Sequence, residues 1–338
     1  MVAIGLSAGG VARVRFAISP LWETIASIRV LHDPGAHAIH LPWVRKVRPR
    51  LGRLTRSELW QLVPPGPAYV PDFLTPAPAG LFTDLSAELD ALLATPPAEV
   101  AAQLGVAARP GVTARPGVTA RPGVTARPGG WVQGPSLDGL LQRLAEQIAD
   151  YFDVALAADW PRIRQLLEAE VFTRARALAA DGVGGLLNDL HEQVRWADDT
   201  LSVAQRWCTA DDVPDGGGLV LIPSVFVWPS ILTVSAGRLA QLAYPPRGTG
   251  ALWEQPARTP DGPAAVLGRS RARLLVELSA PASTTALAAR TGLTAGGVSQ
   301  HLAALRSAGL VTAHRDGRTV LNVRTDVADA LLGSRRYG

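Results

Sequence analysis

The chain has 338 residues, of which 47% are hydrophobic and 18% are charged, and its formal net charge is +4. At roughly 150 residues per domain, this length predicts two domains. The balance of apolar and charged residues excludes a collagen-like, coiled-coil or largely disordered chain. The single cysteine, Cys208, excludes a disulfide framework and an all-cysteine zinc site within one chain.

The net charge is divided among three blocks of the sequence whose sign alternates. Residues 1–60 hold nine basic and three acidic side chains, a net charge of +6, whereas residues 61–263 hold fourteen and twenty-two, a net charge of −8. Residues 264–338 hold ten basic and four acidic side chains, again +6. The basic C-terminal block favours an anionic partner. The basic N-terminal block has two interpretations, a second phosphate-facing surface or an ionic partner of the acidic middle.

The first hundred residues predict a mixture of strand and helix. Alternation over Val11–Ser19 predicts a strand, and Pro20 opens an amphipathic helix through Leu31 that Asp33-Pro34-Gly35 ends. Further helices are predicted over Thr83–Leu93 and Ala98–Leu104. Residues 108–129 then repeat ARPGVT three times and end in ARPG, which predicts a disordered, solvated loop with no required role.

Long helices and then short strands follow the repeat. Helical spacing extends over Leu137–Ala158, from Pro161 to about Leu178, and over Val183–His191. Residues 194–244 change to short β-branched and aromatic runs. We therefore predict an α+β N-terminal domain over residues 1–254 and a proline-rich linker over residues 255–263.

We expect neither a membrane span nor a secretion signal. The most hydrophobic run, Gly217 to Ala236, contains Pro223 and Pro229 and is better explained by two buried strands, Leu219–Ile222 and Val225–Trp228. The N-terminus has no basic residue ahead of its short apolar stretch. A cytoplasmic protein is the expectation.

Residues 264–338 predict a C-terminal winged helix-turn-helix domain. A first helix over Ala264–Ser279 is followed by a second over Thr284–Thr291, which ends at a Gly292 turn. A third helix over residues 294–308 carries an apolar stripe with helical spacing. Two strands joined by Asp316-Gly317 form a wing over residues 310–323, and a closing helix runs from Asp326 to Leu332.

The candidate DNA contacts lie on the third helix, away from its apolar stripe, and on the wing. Such a helix enters the major groove, where a glutamine can read adenine. Glycines near its start let the backbone approach a phosphate, and wing arginines reach phosphates or the minor groove. The pattern leaves two interpretations for His301, which are contact with DNA and partial burial. The predicted DNA-binding residues are Thr294, Gly296, Gly297, Ser299, Gln300, His301, Arg306, Arg315 and Arg318.

The stretch LAARTGLTAGGVSQHLAALRSAGLVTAHRDGR, Leu287 to Arg318, resembles the ArsR-type family of bacterial winged-helix repressors. The resemblance covers about the last 75 residues, and it implies a homodimeric regulator whose third helix reads operator DNA. Metal-sensing members carry a cysteine pair on the second helix or Asp, His and Glu ligands on the last helix. This second helix lacks cysteine, and Asp326 and Asp329 lack a histidine partner, so we expect no metal and no cofactor.

The N-terminal part resembles a second group of proteins. VRFAISPLWETIASIRVLHDPGAHAIHLPW and LIPSVFVWP are similar to a family of actinobacterial regulators that join an uncharacterised N-terminal domain to an ArsR-type helix-turn-helix. The resemblance implies no activity, and it implies that residues 1–11 are an unstructured extension.

Catalytic and metal-binding patterns in the N-terminal domain are weak. Residues 5–9 match G-x-S-x-G, but only four residues precede them, too few for the required strand. A zinc site formed by His32, Asp33, His37 and His40 has no established ligand spacing, and an ordinary loop explains these residues better. All nine tryptophans lie in this domain and are compatible with core packing or a pocket for an organic effector.

Two functional hypotheses follow. The first is a non-enzymatic transcriptional repressor that binds a double-stranded operator as a homodimer, with the N-terminal domain as the sensing or dimerisation domain. The alternative is an enzyme of unknown reaction in the N-terminal domain with an accessory winged helix. Separately, the winged helix itself could make protein contacts instead of binding DNA.

Overall fold

We describe a computed structural model of the chain. It describes residues 2–66, 68–107, 137–204, 213–214, 216–236, 239–253, 261–316 and 319–332. The predicted repeat loop at 108–129 and residues 255–260 of the predicted linker lie outside this set. The chain divides into two units, Met1–Trp253 and Glu254–Gly338, and each is described by itself.

Helices dominate the N-terminal unit. The described α-helices are α1 (Ala8–Val11), α2 (Pro20–His32), α3 (Leu41–Val47), α4 (Glu58–Leu62), α5 (Leu85–Leu93), α6 (Pro97–Ala107), α7 (Leu137–Ala155) and α8 (Trp160–Asn188). Short 3-10 helices lie at Ala38–His40, Arg48–Arg50, Gly52–Arg56, Asp72–Leu74, Val225–Val227 and Thr249–Trp253. None of the described helices has both the length and the apolar character needed to span a membrane.

Two sheets complete the N-terminal unit. The strands are β1 (Val2–Gly5), β2 (Arg15–Phe16), β3 (Val194–Ala197), β4 (Thr200–Val203), β5 (Gly218–Pro223), β6 (Leu232–Ala236) and β7 (Leu239–Tyr244). One sheet has the order β2-β5-β7-β6, in which β2, β5 and β7 are parallel and β6 is antiparallel. The other is antiparallel with the order β1-β4-β3. The unit therefore mixes helices and sheets.

Helix α2 lies in the core of this unit rather than on its surface. It begins where the Ser19 hydroxyl accepts a hydrogen bond from the Trp22 amide at 2.9 Å, with Pro20 in the first turn. The sequence predicted an amphipathic helix, but every residue from Pro20 to Leu31 except Arg29 is buried. The prediction was wrong because distant segments pack around the helix on all sides.

The polar groups of this core have partners far away in sequence. The Glu23 carboxylate accepts hydrogen bonds from the Val225 amide at 2.6 Å and the Ser224 hydroxyl at 3.1 Å. Glu88 accepts from the Leu21 amide at 2.8 Å, at the start of α2. Burial raises the pKa of both carboxyls to about 7. These carboxyls join helix and loop segments about 70 to 200 residues apart.

Several local predictions for this unit were wrong. Residues 1–11 are not an unstructured extension, because β1 pairs with β4 and α1 follows it. The strand predicted over Val11–Ser19 shrinks to Arg15–Phe16, and Val225–Val227 forms a 3-10 helix instead of a strand. In the latter case the Glu23 carboxylate binds the Val225 and Phe226 amides, which a sheet would have paired.

The C-terminal unit has five described helices and three described strands. They are α9 (Asp261–Leu267), α10 (Arg269–Glu277), β8 (Ala282–Ser283), α11 (Thr284–Thr291), α12 (Ala295–Ser307), β9 (Val311–Asp316), β10 (Thr319–Arg324) and α13 (Asp326–Leu331). The single helix predicted over Ala264–Ser279 is broken at Gly268, whose φ of +81° ends α9. Residues 261–263, predicted as linker, lie in α9.

Candidate nucleic-acid interface

Helices α10, α11, α12 and α13 and the hairpin of β9 and β10 form the scaffold of the C-terminal unit. Their inward side chains make one apolar core, to which α12 contributes Val298, Leu302 and Leu305. These three residues are fully buried and recur at the spacing that the sequence predicted for the inner face. The core fixes which face of α12 points outward.

Side-chain caps and a glycine set the turn between α11 and α12. The Ser283 hydroxyl accepts from the Ala286 amide at 3.2 Å and begins α11, which ends at Gly292 in the left-handed conformation with φ +69°. The Thr294 hydroxyl then accepts from the Gly297 amide at 3.2 Å and begins α12. All three features were predicted from the sequence because each depends on neighbours within one helical turn.

The outer face of α12 is polar and accessible. Thr294, Gly296, Ser299, Gln300 and Arg306 are exposed, whereas Gly297 and His301 are half-buried. The structure thus brings all seven predicted residues of this helix to its outer side or its edge. The Arg306 guanidinium donates to the Leu302 carbonyl through Nε at 3.3 Å, which holds it along its own helix.

The two glycines of α12 differ in the space around them. A Cβ added at Gly296 would meet no atom within 4 Å, whereas one at Gly297 would lie 3.2 Å from the Thr294 hydroxyl. Glycine costs a helix roughly 1 kcal/mol relative to alanine. Packing explains the glycine at 297, which leaves room for the cap, but nothing within this unit requires the glycine at 296.

The wing is an antiparallel hairpin of β9 and β10, with Asp316 opposite Thr319. Strand β10 also pairs with β8, and the Arg324 guanidinium donates to the Leu275 carbonyl at 3.0 Å, so the hairpin is fixed to α10. The backbone of Arg315 lies opposite Val320. Its side chain and the whole of Arg318 lie outside the described residues.

A row of arginines on α10 was not among the predicted DNA contacts. Arg269, Arg271 and Arg273 are exposed, and the first and last lie one helical turn apart. Arg273 donates to the Arg290 carbonyl at 3.4 Å, at the end of α11. The alternation R-S-R-A-R in the sequence could have predicted this row. It indicates that α10 contributes to the positive charge of the domain.

The zinc alternative gains no geometric support in the part of the chain that the structure describes. No group of three or more His, Cys, Asp or Glu side chains is placed there to hold a metal ion. Instead, His37 Nδ1 lies 2.8 Å from the Asp33 carbonyl, and the Trp253 indole donates to His40 Nδ1 at 2.8 Å. The first of these contacts is typical of a loop, and the second is typical of a packed core.

The G-x-S-x-G segment does follow a strand, contrary to the expectation. That strand, β1, lies at the edge of its described sheet, however, and the Ser7 hydroxyl caps α1 by accepting from the Gly10 amide at 3.3 Å.

Comparison with known families agrees with this geometry. Residues 270–313 match the sequence model described as the bacterial regulatory protein, arsR family, which covers α10, α11, α12 and the start of β9. This segment is an ArsR-type helix-turn-helix. The match supports a DNA-binding role in transcription regulation for this segment. No curated protein and no solved structure matches the chain.

Proposed function

We propose that the chain is a homodimeric transcriptional repressor that binds a pseudo-palindromic operator with α12 in the major groove. The observation that carries the proposal is the outer face of α12. It is polar and uncovered within its unit, while the opposite face is locked into the core by Val298, Leu302 and Leu305. A two-fold dimer places two such helices in successive major grooves about one DNA turn apart.

The residues of α12 have two roles in this proposal, reading bases and approaching a phosphate. Gln300 is exposed, and its amide can donate to N7 and accept from N6 in the arrangement that reads adenine; Ser299 beside it can donate to or accept from a base edge. Gly296 lies in the first turn, where free amides and the helix dipole favour a phosphate. Its missing side chain lets that backbone come close.

The wing supplies the sequence-independent contacts in this proposal. Arg315 and Arg318 flank the hairpin turn in the sequence, and arginine pairs with phosphate through two parallel hydrogen bonds. The exposed arginines of α10 extend the same positive charge. These contacts position the domain, while α12 specifies the sequence.

We assign the N-terminal unit to dimerisation and to sensing an organic effector, and we assign it no reaction. Its support is the aromatic composition of the unit, since all nine tryptophans precede residue 254. Aromatic side chains commonly line sites for organic ligands. An effector would act by favouring one placement of the two DNA-binding units.

The test is a fluorescence titration of the full chain against the region upstream of its own operon. We expect nanomolar affinity that falls steeply with salt. Gln300→Ala should weaken specific binding by about 5- to 150-fold, and the pair Arg315→Ala with Arg318→Ala, which removes four cations from the dimer, should lower the salt slope by about four.

The pair Arg176→Ala with Arg195→Ala is the matched control, because both residues are exposed on the N-terminal unit and the charge change is the same. It should leave affinity for a short operator duplex unchanged. Salt-insensitive binding, or no binding to any fragment of the genome, would contradict the proposal.

A further inference from the structure

The N-terminal unit carries a second concentration of positive charge, far in sequence from the winged helix. Six of the nine basic residues in the first 60 fall between positions 45 and 56, and residues 41–57 contain no acidic residue. Helix α3 and the two 3-10 helices that follow it expose all six. We call this set the N-terminal basic surface. Its members are Arg45, Lys46, Arg48, Arg50, Arg53 and Arg56.

Buried apolar residues hold the N-terminal basic surface on a fixed scaffold. Trp43, Val47, Leu51 and Leu54 alternate with the cations and lie in the core of the unit. The Trp43 indole also donates to the Ala155 carbonyl at 3.1 Å, which ties the segment to the end of α7. The cations are therefore presented by an ordered surface, which lowers the conformational entropy lost on binding.

The acidic middle of the chain neutralises only part of this surface. Lys46 Nζ lies 2.8 Å from the Asp159 carboxylate, and Arg53 Nη2 lies 3.6 Å from the Asp150 carboxylate. Both Arg53 and Asp150 are mainly exposed, at 91% and 58%, so solvent screens that pair strongly.

Four cations are left without an acidic partner among the described residues. Arg48 donates to the Leu31 carbonyl at 2.7 Å, near the end of α2. Within the part of the chain that the structure describes, no side-chain hydrogen bond or ion pair engages Arg45, Arg50 or Arg56. Pairing with the acidic middle does not account for these charges.

The composition of the surface favours nucleic acid over a membrane. An amphipathic segment that binds lipid inserts exposed apolar or aromatic side chains beside its cations. Here the aromatic and aliphatic residues that alternate with the cations are buried, with Trp43 1% exposed and Leu51 2%, and the exposed apolar residue between them is Pro49. Five of the six cations are arginines, whose fork of donors matches two phosphate oxygens.

We propose that the N-terminal basic surface binds the phosphate backbone of DNA outside the base pairs read by the winged helix. This inference rests on the proposed function, since a bound winged helix raises the local concentration of DNA near a tethered unit. Contacts to flanking phosphates add affinity without adding sequence specificity. The protein then prefers an operator embedded in longer duplex.

The test compares a short operator duplex, limited to the recognised base pairs, with one extended by about 20 base pairs on each side. We expect the wild-type chain to bind the long duplex at least about tenfold more tightly at 0.1 M salt, with a salt slope steeper by about five, because each protomer of the dimer contributes three cations. The triple variant Arg45→Gln, Arg50→Gln and Arg56→Gln should remove both differences and leave binding to the short duplex unchanged.

Two controls separate charge from structure. The triple variant Arg13→Gln, Arg176→Gln and Arg195→Gln removes three other exposed arginines of the same unit and should behave as wild type. Replacing the three surface arginines by lysine keeps the charge and should retain the steeper slope. Circular dichroism of each variant checks that it is folded.

The outcomes are distinct. If the wild-type protein does not bind the short operator duplex, the proposed function is contradicted. A titration with a duplex of unrelated sequence then tests this inference by itself, because the glutamine triple variant should still bind that duplex more weakly than wild type. Equal binding of the triple variant and wild type to long duplex overturns the inference. The inference is also overturned if the triple variant keeps its DNA affinity but no longer binds phosphatidylglycerol vesicles, because the basic surface would then bind lipid.

Discussion

The two units place their polar side chains in opposite ways. In the C-terminal unit the polar residues of α12 face outward and the apolar stripe faces inward, so burial follows the helical repeat. In the N-terminal unit α2 is buried on nearly every side, and Glu23 within it is satisfied by residues about 200 positions away. The local pattern therefore predicts the exposed face of the helix in the first case, but it does not predict the burial of the helix in the second.

Replacing Glu23 by alanine is the strongest way to perturb the N-terminal unit alone. The change removes the acceptor of the Ser224 hydroxyl and of the Val225 and Phe226 amides, all of them buried. With about 1–3 kcal/mol for each unsatisfied donor, we expect the free energy of unfolding to fall by about 4 kcal/mol.

Tryptophan fluorescence measures this effect, because all nine tryptophans precede residue 254. The control is Glu146→Ala, an exposed glutamate on α7, which should change the unfolding free energy by less than about 0.5 kcal/mol. Equal loss in both variants would contradict the role given to the Glu23 hydrogen bonds.

Leu302→Ala perturbs the C-terminal unit instead. Leu302 is 1% exposed at the centre of the α12 stripe, so its truncation leaves a cavity and should lower that unit's unfolding free energy by about 3 kcal/mol. Far-UV circular dichroism should show the loss, while the tryptophan fluorescence midpoint stays in place. A shift of the fluorescence midpoint of the same size would show that the two units unfold together.

The pH dependence of stability sharpens the description of the N-terminal core. Burial raises the pKa of Glu23 to about 7 from its ordinary 4.5, so the folded state binds the proton more tightly than the unfolded state. The contribution of Glu23 is complete below pH 4.5 and is lost as the pH rises through 7. The stability of wild type relative to Glu23→Gln should fall by up to about 1.4 kcal/mol per pH unit in this window. Urea unfolding of both proteins at pH 5, 6, 7 and 8 measures this difference in the free energy of unfolding. A difference that does not change with pH would contradict the raised pKa of the buried Glu23 carboxyl.

Gly296→Ala should have the smallest effect on folding and the opposite sign. The added methyl group meets no atom within 4 Å, so helix propensity should stabilise the C-terminal unit by up to about 1 kcal/mol. Under the proposed function it should also weaken operator binding, because the backbone at this position approaches a phosphate. Gly297→Ala, which crowds the Thr294 cap, should show no comparable gain in stability. Unchanged operator affinity in Gly296→Ala would remove the proposed reason for this glycine.

The sequence was sufficient where structure depends on near neighbours. The caps at Ser283 and Thr294, the Gly292 turn and the α12 stripe each involve residues within one or two turns, and all were predicted. The break at Gly268 was missed, because a glycine inside a helical pattern is compatible with both a continuous and an interrupted helix.

The sequence was insufficient where tertiary packing decides. Nothing near Val225 in the chain indicates that a carboxylate from α2 will bind its amide and turn the segment into a 3-10 helix. The N-terminal basic surface was visible only as a block of charge, and the unpaired state of Arg50 and Arg56 required the positions of distant acidic residues.

The central claim is that α12 reads an operator as one of two symmetric copies. One genome-wide selection of DNA fragments with the purified full chain tests it most directly. We predict a recovered site with two inverted half-sites about 10 base pairs apart, centre to centre, whose base preference relaxes at one position per half-site in Gln300→Ala. Fragments without a shared sequence, or a shared sequence unaffected by Gln300→Ala, would contradict the claim.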